Sequence, residues 1–85
     1  MIMYACAILD KKVGAYMKPE FFRTKGEAIR AFADACHNPE GNLKRHSEDY
    51  VFCCLGTYDD NAGNFQCPQV PEILSTAVEA LAIDG

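Results

Sequence analysis

The chain has 85 residues, of which 49% are hydrophobic, and a formal net charge of −4. This length supports one small core and no second domain, and the hydrophobic fraction excludes a disordered chain. The longest apolar run is too short to cross a bilayer, so the sequence predicts no membrane span. Because so small a core yields only about 3–5 kcal/mol, we also expect a homo-oligomer.

The N-terminal segment predicts a β-hairpin. Residues 2–9 are apolar at every position, which predicts a strand with both faces covered. Gly14 closes the turn that follows, because a short hairpin loop often needs a residue with positive φ. Residues 15–22 predict the return strand, and Pro19 within it predicts an edge position because proline has no amide hydrogen to donate.

A helix is predicted directly after this hairpin. Thr24 and Glu27 have the spacing of a capping box, in which each side chain binds the backbone amide of the other residue. Apolar residues then recur at helical spacing as far as Cys36, and Pro39 ends the helix soon afterwards. The polar residues 37–49 predict a long loop.

The second half of the chain predicts another unit of two strands and a helix. Residues 50–58 are rich in aromatic and β-branched side chains and predict a strand, and residues 64–70 predict its return strand. Pro71 suits the first turn of a helix, so the sequence predicts that the second helix begins there.

The two halves also match each other. At a constant offset of 49, residues 1–36 align with residues 50–85 without a gap, and Asp10 falls on Asp59. We therefore predict a single α+β domain in which two ββα units, residues 1–36 and 50–85, are joined by the loop 37–49. The units are expected to form one antiparallel sheet with the helices packed on one face.

Charge is distributed unevenly along the chain. Residues 1–45 hold all eight lysines and arginines and five acidic residues, whereas residues 46–85 hold seven acidic residues and neither lysine nor arginine. The basic half is suited to a polyanion, and the alternative is an ordinary solvated surface.

The sequence offers no catalytic constellation. His46 with Glu48 and Asp49, and Asp59 with Asp60, are better explained as turn residues whose side chains bind backbone amides. The five cysteines are odd in number and include no Cys-x-x-Cys pair, which favours reduced thiols in the core over disulfides or a zinc site. We therefore predict no enzyme, no metal site and no cofactor.

Binding of single-stranded nucleic acid is better supported, because it requires cations for the phosphates beside aromatic rings for the bases. The first hairpin and the long loop supply both. The candidate contacts are Lys11, Lys12, Tyr16, Lys18, Arg23, Lys44 and Arg45. The alternative for Tyr16 is a place in the core.

Three ordered segments resemble one known family. They are Phe22–Phe32, His46–Tyr50, and Leu55–Asp60 followed by Gly63. They are similar to the small nonstructural protein of gokushoviruses, the single-stranded DNA bacteriophages of the Microviridae. The resemblance covers about residues 6–68 and departs at Ser47, where that family usually has proline.

This resemblance implies a non-enzymatic accessory protein that acts in single-stranded DNA replication or genome packaging in the host cell cytoplasm. Its expected partner is single-stranded DNA. The alternative is an interaction module that docks phage replication or capsid-assembly proteins without touching DNA.

Overall fold

Two long strands lie side by side at the centre of the fold. The structure, a computed structural model, describes residues 1–82. Its six strands form one antiparallel sheet: β1 (Ile2–Asp10), β2 (Ala15–Tyr16), β3 (Glu20–Phe22), β4 (Tyr50–Asp59), β5 (Asn64–Gln66) and β6 (Glu72–Thr76). The helices are α1 (Lys25–Cys36), α2 (Asn42–Arg45) and α3 (Ala77–Ala82), and a 3₁₀ turn spans Ser47–Asp49. The predicted α+β class is confirmed.

The sheet is four strands wide, although it contains six. β1 pairs with β4 over its whole length, from Ile2 opposite Asp59 to Asp10 opposite Tyr50. The outer edge of β1 carries both β2 and β3, and the outer edge of β4 carries both β5 and β6. The return strand predicted over residues 15–22 is thus divided in two. The division falls at Pro19, where no amide hydrogen is available to the ladder.

Both hairpins turn in the same way. The amide of Gly14 donates to the Asp10 carbonyl at 2.8 Å, and the amide of Gly63 donates to the Asp59 carbonyl at 2.7 Å. Each aspartate side chain also accepts a hydrogen bond from the amide two residues later, at 3.0 and 2.9 Å. The glycines have φ values of 79° and 68°, which other residues adopt at a cost. The interpretation of Asp59 as a turn residue is confirmed.

The two longer helices have matching starts. The Thr24 hydroxyl accepts from the Glu27 amide at 3.0 Å, which confirms the predicted start of α1. Thr76 and Glu79 repeat this arrangement at 3.1 Å before α3. The second hydrogen bond of the capping box was predicted to run from the Thr24 amide to the Glu27 carboxylate. In the structure this carboxylate instead accepts from the amide of Arg23, at 3.5 Å.

The predicted helix start at Pro71 is wrong. The chain stays extended as β6 through Thr76, with Ile73 opposite Cys53, and α3 begins only at Ala77. The return strand predicted over residues 64–70 is also too long, since β5 ends at Gln66.

A shifted repeat explains both errors. The pattern Pro-Glu-x-x-x-Thr-x-x-Glu-Ala of residues 19–28 recurs at residues 71–80, an offset of 52. The turns keep the offset of 49, so the second unit holds three more residues between its turn glycine and the threonine that caps its helix. The single offset of 49 therefore aligns α1 with residues that lie three positions before its true counterpart in the second unit. The last residues predicted for the second unit, 83–85, lie outside the described residues.

The loop predicted over residues 37–49 is partly helical, since it contains α2 and the 3₁₀ turn. Within residues 1–82, no helix is both long enough and apolar enough to cross a membrane.

The core lies between the sheet and the helices, all of which contribute on the same face, as predicted. The rings of Phe32 on α1 and Phe52 on β4 stack at its centre, with centroids 4.7 Å apart and planes 4° from parallel. Around them lie the buried residues Cys6, Ala28, Cys36, Cys54, Ala77 and Ala80. The small residues let α1 and α3 approach the sheet closely.

Gly56 in β4 is expected to reject a side chain. A Cβ atom there would lie 2.5 Å from the carbonyl oxygen of Gln66 and 2.9 Å from the Cα atom of Cys67. Because these are backbone atoms, Gly56→Ala should lower the free energy of unfolding by about 1–3 kcal/mol.

The control is Gly26→Ala in the first turn of α1, where the new Cβ atom would approach only the Thr24 hydroxyl oxygen, at 4.0 Å. This variant should keep its stability or gain up to about 1 kcal/mol, because alanine favours helix. Urea unfolding followed by circular dichroism measures both variants. Equal stabilities would contradict the close approach at Gly56.

Candidate nucleic-acid interface

Four of the candidate cations lie at one end of the sheet. Lys11 and Lys12 occupy the turn between β1 and β2, and Lys44 and Arg45 occupy α2. The Lys11 amide donates to the Asp49 carbonyl at 2.8 Å, which attaches this turn to the 3₁₀ turn that follows α2. We call these four residues the basic end.

The cations of the basic end are exposed to solvent. The Arg45 guanidinium donates to the Asn42 side-chain oxygen at 2.8 Å. No ion pair within residues 1–82 involves the basic end. Its charge is therefore available to an anionic partner, although Glu48 and Asp49 lie on the adjoining 3₁₀ turn.

Tyr16 lies beside the basic end, on β2 opposite Leu9. Its side chain is 43% exposed. Partial burial, together with the neighbouring Cys53 thiol, raises the pKa of the Tyr16 hydroxyl. The ring is thus packed on the sheet along part of its surface and open along the rest.

The other two candidate cations lie elsewhere. Arg23 forms an ion pair with Glu27 at 3.2 Å, one helical turn away. Lys18 lines a pocket of about 120 Å³ between the edge of β1 and α1, whose walls include Phe22 and Phe32. Of the seven candidates, Lys11, Lys12 and Tyr16 thus share one hairpin, and Lys44 and Arg45 lie on the helix just before the 3₁₀ turn to which this hairpin is bonded.

The face of the sheet opposite the helices has no covering element within residues 1–82; we call it the open face. Alternation along β1 places Met3, Ala5, Ala7 and Leu9 on it. The register adds Tyr16, Phe21, Val51, Cys53, Tyr58, Phe65 and Ile73 from the other strands. None of these residues is charged.

Ala5 and Ala7 are nevertheless buried, with 5% and 2% exposure. Since no helix lies on this face within residues 1–82, neighbouring parts of the sheet must account for this burial. The prediction that both faces of β1 are covered therefore holds for these alanines, although no helix covers them on the open face.

Three aromatic rings cluster on the open face. The centroid of Tyr58 lies 5.5 Å from that of Phe21 and 4.8 Å from that of Phe65. Phe21 is 43% exposed and Phe65 is 56% exposed. The cluster lies beside the β4–β5 turn with its acidic residues, at the opposite end of the sheet from Tyr16.

Sequence reasoning missed this cluster. The signal was the repeat itself, because Phe65 is the equivalent of Tyr16 at the offset of 49 that both hairpins obey. Each ring follows a turn and lies on the open face, opposite Leu9 for Tyr16 and opposite Tyr58 for Phe65.

No group of three or more histidine, cysteine or acidic side chains within residues 1–82 is arranged to hold a metal ion. The same part of the chain contains no buried charged residue.

The family model described as Phage ORF5 protein matches residues 3–80. The chain belongs to the Phage ORF5 protein family. The resemblance to a phage protein is confirmed at this level, and the family match extends into α3, beyond the segments that carried the resemblance. No match was found among curated proteins or among solved structures.

In this Phage ORF5 protein, the free cysteines are expected to react very unequally. Cys67 is exposed, and the other four thiols are buried. Burial, together with the neighbouring Cys54 thiol, raises the pKa of Cys6 to about 12, and burial also raises the pKa of Cys36 and Cys53. The thiolate is the reactive form, so the buried thiols should be inert in the native state.

Iodoacetamide at pH 8 should therefore modify one cysteine rapidly in the native protein and all five after unfolding in urea. Intact-mass spectrometry follows the reaction, and Cys67→Ser is the control that should abolish the rapid phase. Rapid native labelling of Cys53 or Cys54 would contradict the observed burial.

Proposed function

We propose that this phage protein is a non-enzymatic accessory protein that binds single-stranded DNA in the host cytoplasm during replication or genome packaging. The observation that carries the proposal is the basic end, whose Lys11 and Lys12 lie in the hairpin turn that leads to the partly exposed Tyr16. Such a surface suits a flexible strand, since cations contact successive phosphates while a ring stacks on a base.

Charge placement supports this proposal although the net charge is −4. The acidic side chains of Asp59 and Asp60 lie at the other end of the sheet, and the Asp60 carboxylate pairs with the N-terminal amine at 2.5 Å. A strand that contacts Lys11 and Lys12 therefore avoids Asp59 and Asp60, and the acidic residues near it are Glu48 and Asp49 of the 3₁₀ turn. Binding should be salt-dependent, because phosphate contact releases counterions.

The test is a titration of fluorescent oligo(dT) with protein at several salt concentrations. Lys12→Glu and Arg45→Glu are each expected to weaken binding and to reduce the slope of log affinity against log salt by about one unit. Arg30→Glu is the matched control, because it makes the same charge change at an exposed position on α1. Its effect should be clearly smaller.

Equal effects of the three variants would mean that only net charge matters, and the basic end would then not be a DNA site. Absence of binding by the wild-type protein at low salt would contradict the proposal altogether.

Tyr16→Ala should cost about 1–3 kcal/mol of DNA affinity if a base stacks on the ring. Because the ring also covers part of the sheet, thermal melting of the same variant must show that it remains folded at the titration temperature. Unchanged affinity of the folded variant would confine the DNA site to the cations.

A second candidate is a module that docks phage replication or capsid-assembly proteins without touching DNA. The open face favours it, since the core of a protein interface is poor in charge and rich in aromatic residues. This candidate becomes the leading one if oligo(dT) does not bind.

A further inference from the structure

The open face exposes several large apolar side chains to solvent. Besides the aromatic cluster, Ile73 is 66% exposed and lies on β6 opposite the buried Cys53. Solvated surfaces normally break up such patches with charge, and a contiguous apolar patch marks an interaction site. We propose that the open face binds the open face of a second copy of this chain, which forms a twofold dimer of stacked sheets.

The absence of charge on the open face favours a protein over DNA as its occupant. DNA that stacked bases on Phe21 or Phe65 would need cations nearby for its phosphates. The turn beside the cluster instead carries Asp59 and Asp60, which repel phosphate. A second open face is uncharged as well, so neither copy would bury an unpaired charge.

The size of the face also suits a dimer. The nine residues of β1 span about 30 Å, and four strands abreast span about 19 Å, which gives about 550 Å² per copy. Two copies would bury about 1,100 Å², just above the roughly 1,000 Å² that a specific interface needs. Sheets that pack face to face lie about 10 Å apart, a distance that side chains from both faces fill.

The charges at the two ends of the sheet select the arrangement. If the twofold axis runs across the strands, the turn with Lys11 and Lys12 in one copy lies near the turn with Asp59 and Asp60 in the other. If the axis runs along the strands, like charges meet at both ends. The first arrangement is favoured by Coulomb attraction at each end, which salt screens.

This inference does not require DNA binding, and its test measures the mass of the protein alone. A second copy would cover Tyr16 and approach Lys11 and Lys12, so dimerisation and DNA binding would compete for these residues. Light scattering over a range of protein concentrations should give twice the chain mass of 9.4 kDa at high micromolar concentration. Phe65→Glu and Ile73→Glu should each raise the dimer dissociation constant at least about 30-fold, because each would bury an unpaired charge within the contact.

The matched control is Val78→Glu, since Val78 is 52% exposed but lies on α3, on the helical side of the sheet. It should leave the dimer intact. Both test positions are more than half exposed in the monomer, so all three variants should retain the wild-type circular dichroism spectrum. A variant that loses this spectrum is replaced by Phe65→Ser or Ile73→Ser, which carry the same expectation with a smaller shift.

Raising the salt concentration tests which ends of the two copies meet. The dimer should weaken with salt if opposite charges meet at its ends, and a dimer that strengthens with salt would overturn the arrangement with the twofold axis across the strands. A wild-type protein that stays monomeric would overturn the proposal. If Phe65→Glu then lowers oligo(dT) affinity while Val78→Glu does not, the open face is a base-stacking surface instead.

Discussion

The antiparallel ladder between β1 and β4 determines what every other element can do. Nine residue pairs lie opposite one another along it. Its register sends Cys6 and Phe52 to the helical side and Ala7 and Cys53 to the open face, and a slip by one residue would exchange the two sets. The helices α1 and α3 pack on the side chains of one face of this ladder, and the four short strands pair with its two outer edges.

Antiparallel pairing of β1 with β4 also separates the charges of the two halves of the chain in space. Each unit begins with a long strand and a turn, so pairing the long strands head to tail places the two turns at opposite ends of the sheet. Lysines follow Asp10 in the first turn, and a second aspartate follows Asp59 in the other. The uneven charge of the two halves thus becomes a basic end and an acidic end.

Local signals in the sequence predicted most of the fold. The aspartate-to-glycine turns and the Thr24 cap depend on side chains that bind backbone within four residues, and both were recognised. The start of α3 was not, because the apolar residues after Pro71 also fit a helix when the three-residue insertion before them is overlooked. The second Thr-x-x-Glu, at Thr76, was the overlooked signal.

The candidate site was less accessible to prediction because it depends on contacts between distant residues. Clustering along the chain suggested seven contacts, but sequence position could not show that Arg23 turns to Glu27 or that Lys18 faces a pocket beside α1. The apolar sequence of β1 also could not show that helices cover only one of its two faces. Phe21, Tyr58 and Phe65 meet only after β1 has paired with both β3 and β4.

Native-state hydrogen exchange tests most directly whether the β1–β4 ladder holds the fold together. Amides in the middle of β1 and β4, such as those of Ala7 and Phe52, should exchange only through global unfolding, with protection equal to the full free energy of unfolding. Amides of the short edge strands β2 and β5 should exchange through smaller openings. If the amides at the centre of β1 exchange as fast as those of β5, the ladder is not the element on which the structure depends.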